Sequence, residues 1–379
     1  MKIAIPRETR EHETRVAATP ETVKKFLRLG AEVTVQSGAG KSASIPDEDY
    51  ELAGASLAQD FASTVAAGEV ILKVQRPTEQ EAPAFQSGQS LFCIMSPYAD
   101  RAMLDQLTGA GVDCYAMEFM PRITRAQSMD VLSSQANLAG YKAVLEAANA
   151  YGKGMPQMMT AAGTVAPAKV FVMGVGVAGL QAIATARRLG AIVTATDVRP
   201  ATEEQVASLG AKFIAVKNEE FEQAQTAGGY AKEMSDDYKI KQAELVAGHI
   251  AKQDIVITTA LIPGRKAPVL VNSAMVATMK PGSILVDLAS EQGGNVEGVV
   301  HGEAVTPDGG QIILGYANMP GRLAADASAL YARNHLNFLT PFFGEEGAFA
   351  LDGEDELVKG IRLSQGGQVV HPNLTNEEG

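Results

Sequence analysis

Three glycines and one acid are the residues whose types and spacing could do chemistry in this chain. Gly174, Gly176 and Gly179 stand in G-x-G-x-x-G spacing inside Lys169-Val-Phe-Val-Met-Gly-Val-Gly-Val-Ala-Gly179. The first glycine permits a tight turn, the second lets a pyrophosphate approach the backbone, and the third allows close helix–strand packing. The following helix, starting near Val177, would offer free N–H groups and a partial positive charge to phosphates. A second apolar run, Ala191–Thr196, leads into Asp197. That is about the 20-residue distance expected of the acid that hydrogen-bonds an adenosine ribose. An acid there accepts from a free 2′-hydroxyl and repels a 2′-phosphate, so the pattern predicts NAD(H) rather than NADP(H). Arg199, two residues later, is the one discordant group.

These residues must be held by alternating strands and helices. The strand candidates before residue 120 are Lys2–Ile5, Glu32–Val35, Val70–Val74, Leu91–Met95 and Cys114–Met117, with a helix predicted over 20–30. After the glycine turn, strands are predicted at Lys212–Val216, Ile255–Thr259, Ile284–Leu288 and Gln311–Leu314. Long helices are predicted over 131–151 and 322–338. The class is therefore α/β: two Rossmann-like domains with parallel sheets, joined by long helices across a cleft. The expected boundaries are 1–135 plus 320–379 for a discontinuous N-terminal domain and 136–319 for the NAD(H)-binding domain.

Two polar stretches remain. Arg7–Pro20 carries Arg7, Glu8, Arg10, Glu11, His12, Glu13 and Arg15. It reads either as a solvated loop or as a segment in which Arg15 lines an anion-binding cleft. Glu219–Glu244 has adjacent glycines before Tyr230 and dense charge after it, which predicts a hinged lid with an aromatic tip.

The bulk composition narrows the function. A length of 379 residues suits two cores, and a net charge of −12 argues against nucleic acid. It leaves open docking on a basic protein surface. Cys93 and Cys114 both lie in apolar runs, as buried thiols of a reducing cytosol would. His12, His249, His301, His335 and His371 show no metal-ligand spacing, so no metal site is expected. Met1–Pro6 reads as a strand rather than a signal peptide, and no segment is apolar enough to span a bilayer.

Several longer stretches carry a family resemblance. Pro121-Arg-Ile-Thr-Arg-Ala-Gln-Ser-Met-Asp130, Ala161–Thr164, Gly174–Gly179, Ala227–Met234 and Thr258–Gly264 occur in one order. With them the chain resembles the NAD(H)-binding component of proton-translocating nicotinamide nucleotide transhydrogenase over nearly its whole length. The resemblance implies that Arg122, Gln127 and Asp130 hold the nicotinamide end, with Ser133 adding a hydroxyl. The charges and amides suit this: Arg122 can bind phosphate or a carboxamide oxygen, Gln127 ribose hydroxyls, and Asp130 a carboxamide NH₂. Without the resemblance, the trio would read as a solvated loop with Asp130 capping a helix. Tyr230 would close over the nucleotide. Together with Gly174, Gly176, Val177, Gly179 and Asp197, these are the cofactor-binding candidates.

The implied reaction passes a hydride between NADH here and NADP+ on a partner domain, coupled to proton translocation. It needs no general acid or base, only two rings in contact with water excluded. The membrane-spanning and NADP(H)-binding parts must come from partner chains. A homodimer is expected, peripheral on the cytoplasmic face of the cell membrane without inserting into it.

Two rivals stand beside this reading. Lys2–Pro20 and Asp287–Gly294 also fit alanine dehydrogenase, which needs a carboxylate clamp and an acid/base histidine. Arg15 is present, but Gln75 stands at that family's substrate lysine, Ser96 at its histidine, and Glu291 where it has an aspartate. Losing the proton-transfer group should cripple an oxidation that releases a proton. The other rival is a non-catalytic NAD(H)-sensing module, which needs the adenosine end of the site but not Arg122–Asp130.

Overall fold

The computed structural model describes residues 1–223, 234–262, 264–344 and 348–375. The chain divides into two compact units, one of Met1–Gln135 with Pro320–Gly379 and one of Ala136–Met319.

In the first unit, β1 (Lys2–Ile5), α1 (Pro20–Arg28), β2 (Glu32–Gln36), α2 (Asp47–Ala53), β3 (Ser56–Ala58), α3 (Phe61–Ala66), β4 (Val70–Gln75), β5 (Ser90–Ile94), α4 (Arg101–Gly109) and β6 (Asp113–Ala116) alternate along the chain. The strands form one six-stranded sheet in the order β3-β2-β1-β4-β5-β6, every pair parallel. This is the doubly wound order, with its switch point between β1 and β4. Residues 70–74 are all buried, as in a strand covered on both faces. The first helix begins where Thr19 accepts from the Thr22 N–H and Pro20 presets the first turn, which buries Val23 and Phe26 against the sheet.

The division between the units falls within α5 (Val131–Ala150). The second unit continues with a hairpin, β7 (Met158–Thr160) and β8 (Gly163–Val165), then β9 (Lys169–Met173), α6 (Val177–Arg188), β10 (Ile192–Thr196), α7 (Thr202–Ser208), β11 (Lys212–Phe213), α8 (Glu219–Glu222), α9 (Asp236–Ile250), β12 (Ile255–Thr258), α10 (Ser273–Thr278), β13 (Ile284–Asp287), β14 (Ala304–Val305) and β15 (Ile312–Leu314). Its sheet order is β11-β10-β9-β12-β13-β15-β14, the same winding with its switch point between β9 and β12. One pair departs from the all-parallel expectation, because β14 runs antiparallel to β15 at the edge. Val170, Val172, Ile255, Ile257, Ile284 and Val286 form the core with Ala182, Ile183 and Ala186 of α6. Each such valine or isoleucine contributes about 1.5–3 kcal/mol on burial.

The chain ends in the first unit as α11 (Ala324–Leu339), α12 (Glu356–Ile361), the β16–β17 hairpin (Ser364–Gln365 and Gln368–Val369) and α13 (Pro372–Thr375). The hairpin is tied down: Ser364 accepts from the Cys114 N–H, and the Gly366 N–H donates to Asp113.

The connection read as patternless over Glu219–Glu244 is helical from Asp236 onward. Ser235 caps that helix, Asp236 and Asp237 favour its first turn, and Tyr238, Val246 and Ile250 are buried. Tyr230 and the expected lid tip lie outside the described residues. Among the described residues, no helix is long and apolar enough to cross a membrane.

Candidate functional site

In the second unit, β9 ends at Met173 and α6 begins at Val177, so Gly174, Val175 and Gly176 form the turn at the switch point. Each glycine of the motif has its own reason. Gly174 has φ +98°, and a Cβ there would stand 2.5 Å from Thr259 Oγ1. That hydroxyl donates to the Gly174 carbonyl at 3.0 Å, binding the loop after β12 to the glycine turn. A Cβ at Gly179 would meet the Gly174 oxygen at 1.9 Å, so only glycine lets the helix start this close to the strand.

Gly176 is different. It has φ −79°, which any residue adopts, and a Cβ built on it meets nothing within 4 Å. Neither backbone conformation nor packing requires glycine there. An open glycine at the uncapped start of α6 keeps space free above N–H groups with no intrahelical partner. Gly176 and Val177 are both exposed, so those first amides face open space.

At the end of β10, Asp197 turns toward the same loop, and its Oδ2 accepts from the Val175 N–H at 2.7 Å. Arg199 donates to the same carboxylate from its backbone N–H, its Nε and its Nη2, each at 2.9 Å. The discordant arginine of the sequence is thus the acid's own counter-ion. Around these polar groups, Val177, Val198, Leu261 and Ile262 are exposed at the starts of loops and helix, apolar side chains where the strands end.

Two residues outside the sequence-based site hold it in shape. Asp287, at the end of β13, accepts from the N–H groups of Ala289, Asn295 and Val296. Burial raises its carboxyl above the usual range. Fully buried Asn295 in turn accepts from the Ala260 N–H and donates to the carbonyls of Ala260 and Pro268, fixing the loop after β12. The glycines at 293 and 294, both at positive φ, marked this turn in the sequence without naming its keystone. Gly140 on α5 was missed as well: a Cβ there would lie 2.0 Å from the Ala178 carbonyl, so α5 packs directly on the first turn of α6.

The first unit holds the other group of candidates. Arg122 and Gln127 are exposed on the loop before α5, while Asp130 is half-buried at its start. Asp130 accepts from the Ser133 N–H at 2.9 Å and from the Ser133 hydroxyl, so it caps α5 and engages the very serine expected to assist it. Arg125, between them, forms a two-pronged ion pair with Asp355. Arg122, Gln127, Asp130 and Ser133 therefore share one loop and helix start in the first unit. Gly174, Gly176, Val177, Gly179 and Asp197 share the switch point of the second.

The charged segment after β1 is only partly a solvated loop. Glu8 and Arg15 are buried, beside a cavity of about 250 Å³ lined by Arg7–Arg10, Glu13–Arg15, Gly38, Ala39 and Ser42. Arg15 donates to Glu13 from Nε and Nη2, and to the Gln135 side chain from Nη1. Gln75, at the substrate-lysine position of the dehydrogenase reading, donates to the same Glu13 carboxylate at 3.2 Å. Buried Lys73 lies 3.2 Å from Glu8 and 3.4 Å from Glu81, in an orientation too poor for hydrogen bonds, so the attraction is Coulombic. Burial pushes the Glu8 carboxyl up. Ser96 has a left-handed backbone, φ 47°, and gives its N–H to Glu118.

Two family models match. The N-terminal domain of alanine dehydrogenase/PNT covers residues 4–139, and the C-terminal domain of the same family covers residues 143–372. The chain belongs to the alanine dehydrogenase/PNT family. Within it, the chain is 52% identical to the first polypeptide of the divided NAD(P) transhydrogenase subunit alpha of Rhodospirillum rubrum, over the full length of both. The crystal structure of a transhydrogenase from Sinorhizobium meliloti superposes with a TM-score of 0.89 at 55% identity, covering 98% of this chain and 100% of that one. An alanine dehydrogenase from Halomonas elongata is 31% identical over 97% of this chain and 94% of its own. The chain is a transhydrogenase subunit, and alanine dehydrogenase is its more distant relative.

Proposed function

We propose that this chain is the NAD(H)-binding component of a proton-translocating transhydrogenase. The observation that carries the reading is Gly176, a glycine with no structural reason to be one, at the point where a pyrophosphate would approach the α6 amides. Gly176, Val177 and the first turn of α6 would hold the phosphates, and Asp197 the adenosine ribose. Arg122, Gln127, Asp130 and Ser133 would hold the nicotinamide end. Bound NADH supplies the hydride, and the acceptor NADP+ sits on a partner domain. The protein side chains orient the ring and exclude water, and no proton transfer is required of them. The absence of an acid/base role suits Ser96 at the dehydrogenase family's histidine position.

A homodimer belongs to the same proposal. The β7–β8 hairpin presents Met158, Met159 and Val165 to solvent, with Met159 79% exposed, an apolar surface its own unit leaves uncovered. Membrane-spanning and NADP(H)-binding subunits complete the enzyme, with this chain on the cytoplasmic face of the membrane.

The test mixes the chain with the isolated NADP(H)-binding domain of a transhydrogenase and follows NADPH-dependent reduction of an NAD analogue by absorbance. Turnover that requires both proteins supports the proposal. NADH binding without turnover would leave an NAD(H)-sensing module, and alanine-dependent reduction of NAD+ by the chain alone would return it to the dehydrogenases.

A further inference from the structure

Arg199 is the strongest group near the glycine turn that the nucleotide reading leaves without a task. Its fork grips both oxygens of Asp197 at 2.9 Å, and Nη2 also donates to the Val175 carbonyl at 3.2 Å. Bidentate arginine–carboxylate pairs are among the stronger hydrogen-bonded contacts in proteins. The arginine side chain is still 32% exposed, whereas the Asp197 side chain is 7% exposed, so the cation lies on the solvent side of the pair. An arginine just past the second strand of a Rossmann unit is the group that receives a 2′-phosphate in NADP(H)-selective sites. Here that arginine stands in place, already neutralised by the acid that would receive the ribose hydroxyl.

We propose that the Asp197–Arg199 pair is the nucleotide selector of this site: a latent 2′-phosphate receptor kept closed by an internal carboxylate. The inference rests on the NAD(H) reading above. With Asp197 ionised and gripped, a 2′-phosphate meets a neutralised arginine and an adjacent negative charge. With Asp197 made neutral, Arg199 has no competing anion and turns to the phosphate. Such discrimination matters for a transhydrogenase, whose two nucleotides must not exchange sites. Arg199 therefore acts as a specificity-determining residue beyond bracing the turn through Val175.

The test measures dissociation constants of NADH and NADPH, by nucleotide fluorescence, for wild type, Asp197→Asn, Arg199→Met and the double variant. Asparagine keeps an acceptor for the Val175 N–H while removing the charge. Asp197→Asn should tighten NADPH about tenfold or more, since a hydrogen bond to a charged group is worth about 1.5–3 kcal/mol. The gain should weaken with salt and vanish in Asp197→Asn/Arg199→Met. Arg199→Met alone should loosen NADPH more than NADH, by about tenfold, because the bare Asp197 charge then faces the 2′-phosphate. No gain in Asp197→Asn overturns the inference, as does a gain that survives loss of Arg199. Should Asp197→Asn not fold, an unchanged NADH-to-NADPH ratio in Arg199→Met overturns it instead. A wild-type chain that binds no NADH would refute the nucleotide reading itself, and this inference with it.

Discussion

Gly176→Ala separates a glycine kept for a ligand from a glycine kept for the fold. The added methyl meets no atom within 4 Å, and the backbone, at φ −79°, needs no left-handed freedom. Restricting the unfolded chain stabilises such a site by about 0.4–1 kcal/mol. Gly176 is also the N-cap of α6, where alanine is a poorer residue than glycine, at a cost of roughly the same size. The two offset, so the apo protein should stay within about 1 kcal/mol of wild type, a shift of no more than about 4 °C in melting temperature. Binding should behave otherwise. A methyl above the first amides of α6 holds a pyrophosphate away from them. Losing even one charge-assisted bond costs about 1.5–3 kcal/mol, a weakening of about tenfold to a hundredfold. The assay pairs differential scanning calorimetry with NADH fluorescence titration. Gly179→Ala serves as the contrast, because its methyl would stand 1.9 Å from the Gly174 oxygen and must shift helix or turn. It should lose stability and binding together. If Gly176→Ala bound NADH as wild type does, the pyrophosphate would not lie over this glycine and the site would have to be placed elsewhere.

Other perturbations probe the rest of the site. Gly140→Ala drives a methyl to within 2.0 Å of the Ala178 carbonyl, so it should cost about 1–3 kcal/mol by urea denaturation and loosen NADH; unchanged values for both would show that α5 yields freely. Gln127→Asn should slow hydride transfer to an NADP+-loaded partner domain far more than it weakens NADH binding, and equal losses would remove its role in placing the ring. Burial pushes the Glu118 carboxyl from 4.5 up to about 7, against the pull of the Met95 and Ser96 N–H groups and of Arg76. A raised acid stabilises the fold below pH 4.5 and loses that contribution as pH rises through 7, by at most about 3 kcal/mol. Glu118→Gln should flatten that slope in chemical denaturation between pH 4.5 and 7.5, and an unchanged slope would place the titration on another group. Met159→Asp should give a monomer by light scattering where wild type is a dimer, and a dimeric variant would move the interface off the hairpin.

The sequence was most legible where local rules and tertiary structure agree. The β9–turn–α6 unit is set by an apolar run, glycines and helix periodicity within one short stretch, and it folds as those signals direct. Strands buried on both faces were visible for the same reason. Short edge elements were not: Ser56–Ala58 carries little apolar signal and is a strand because β2 offers it a parallel partner. The segment from Asp236 looked patternless because charged residues cover most of that helix, leaving Tyr238, Val246 and Ile250 as its anchors. Gly140 and Asn295 were invisible in principle. What makes each matter is a neighbour remote in sequence, Ala178 for one and Ala260 with Pro268 for the other.

Asp130 shows why the two halves of the site differ in what the apo fold can say about them. The glycine turn is shaped in advance: its open space, its free amides and its gripped acid exist without a ligand. The Arg122–Asp130 loop instead satisfies itself, with both Asp130 oxygens engaged by Ser133 and the loop tied to Asp355 through Arg125. A carboxamide NH₂ reaching Asp130 must share or displace the Ser133 hydroxyl, while the Ser133 backbone bond can keep the helix capped. That exchange trades one hydrogen bond to a carboxylate for another and costs little in net free energy. The nicotinamide end should therefore be held by geometry more than by affinity, with most of the binding energy lodged at the phosphates and the ribose acid. A hydride donor needs this division: the ring must be placed closely against its acceptor, but gripping it tightly in the ground state would stabilise reactant and transition state alike and leave the rate unchanged.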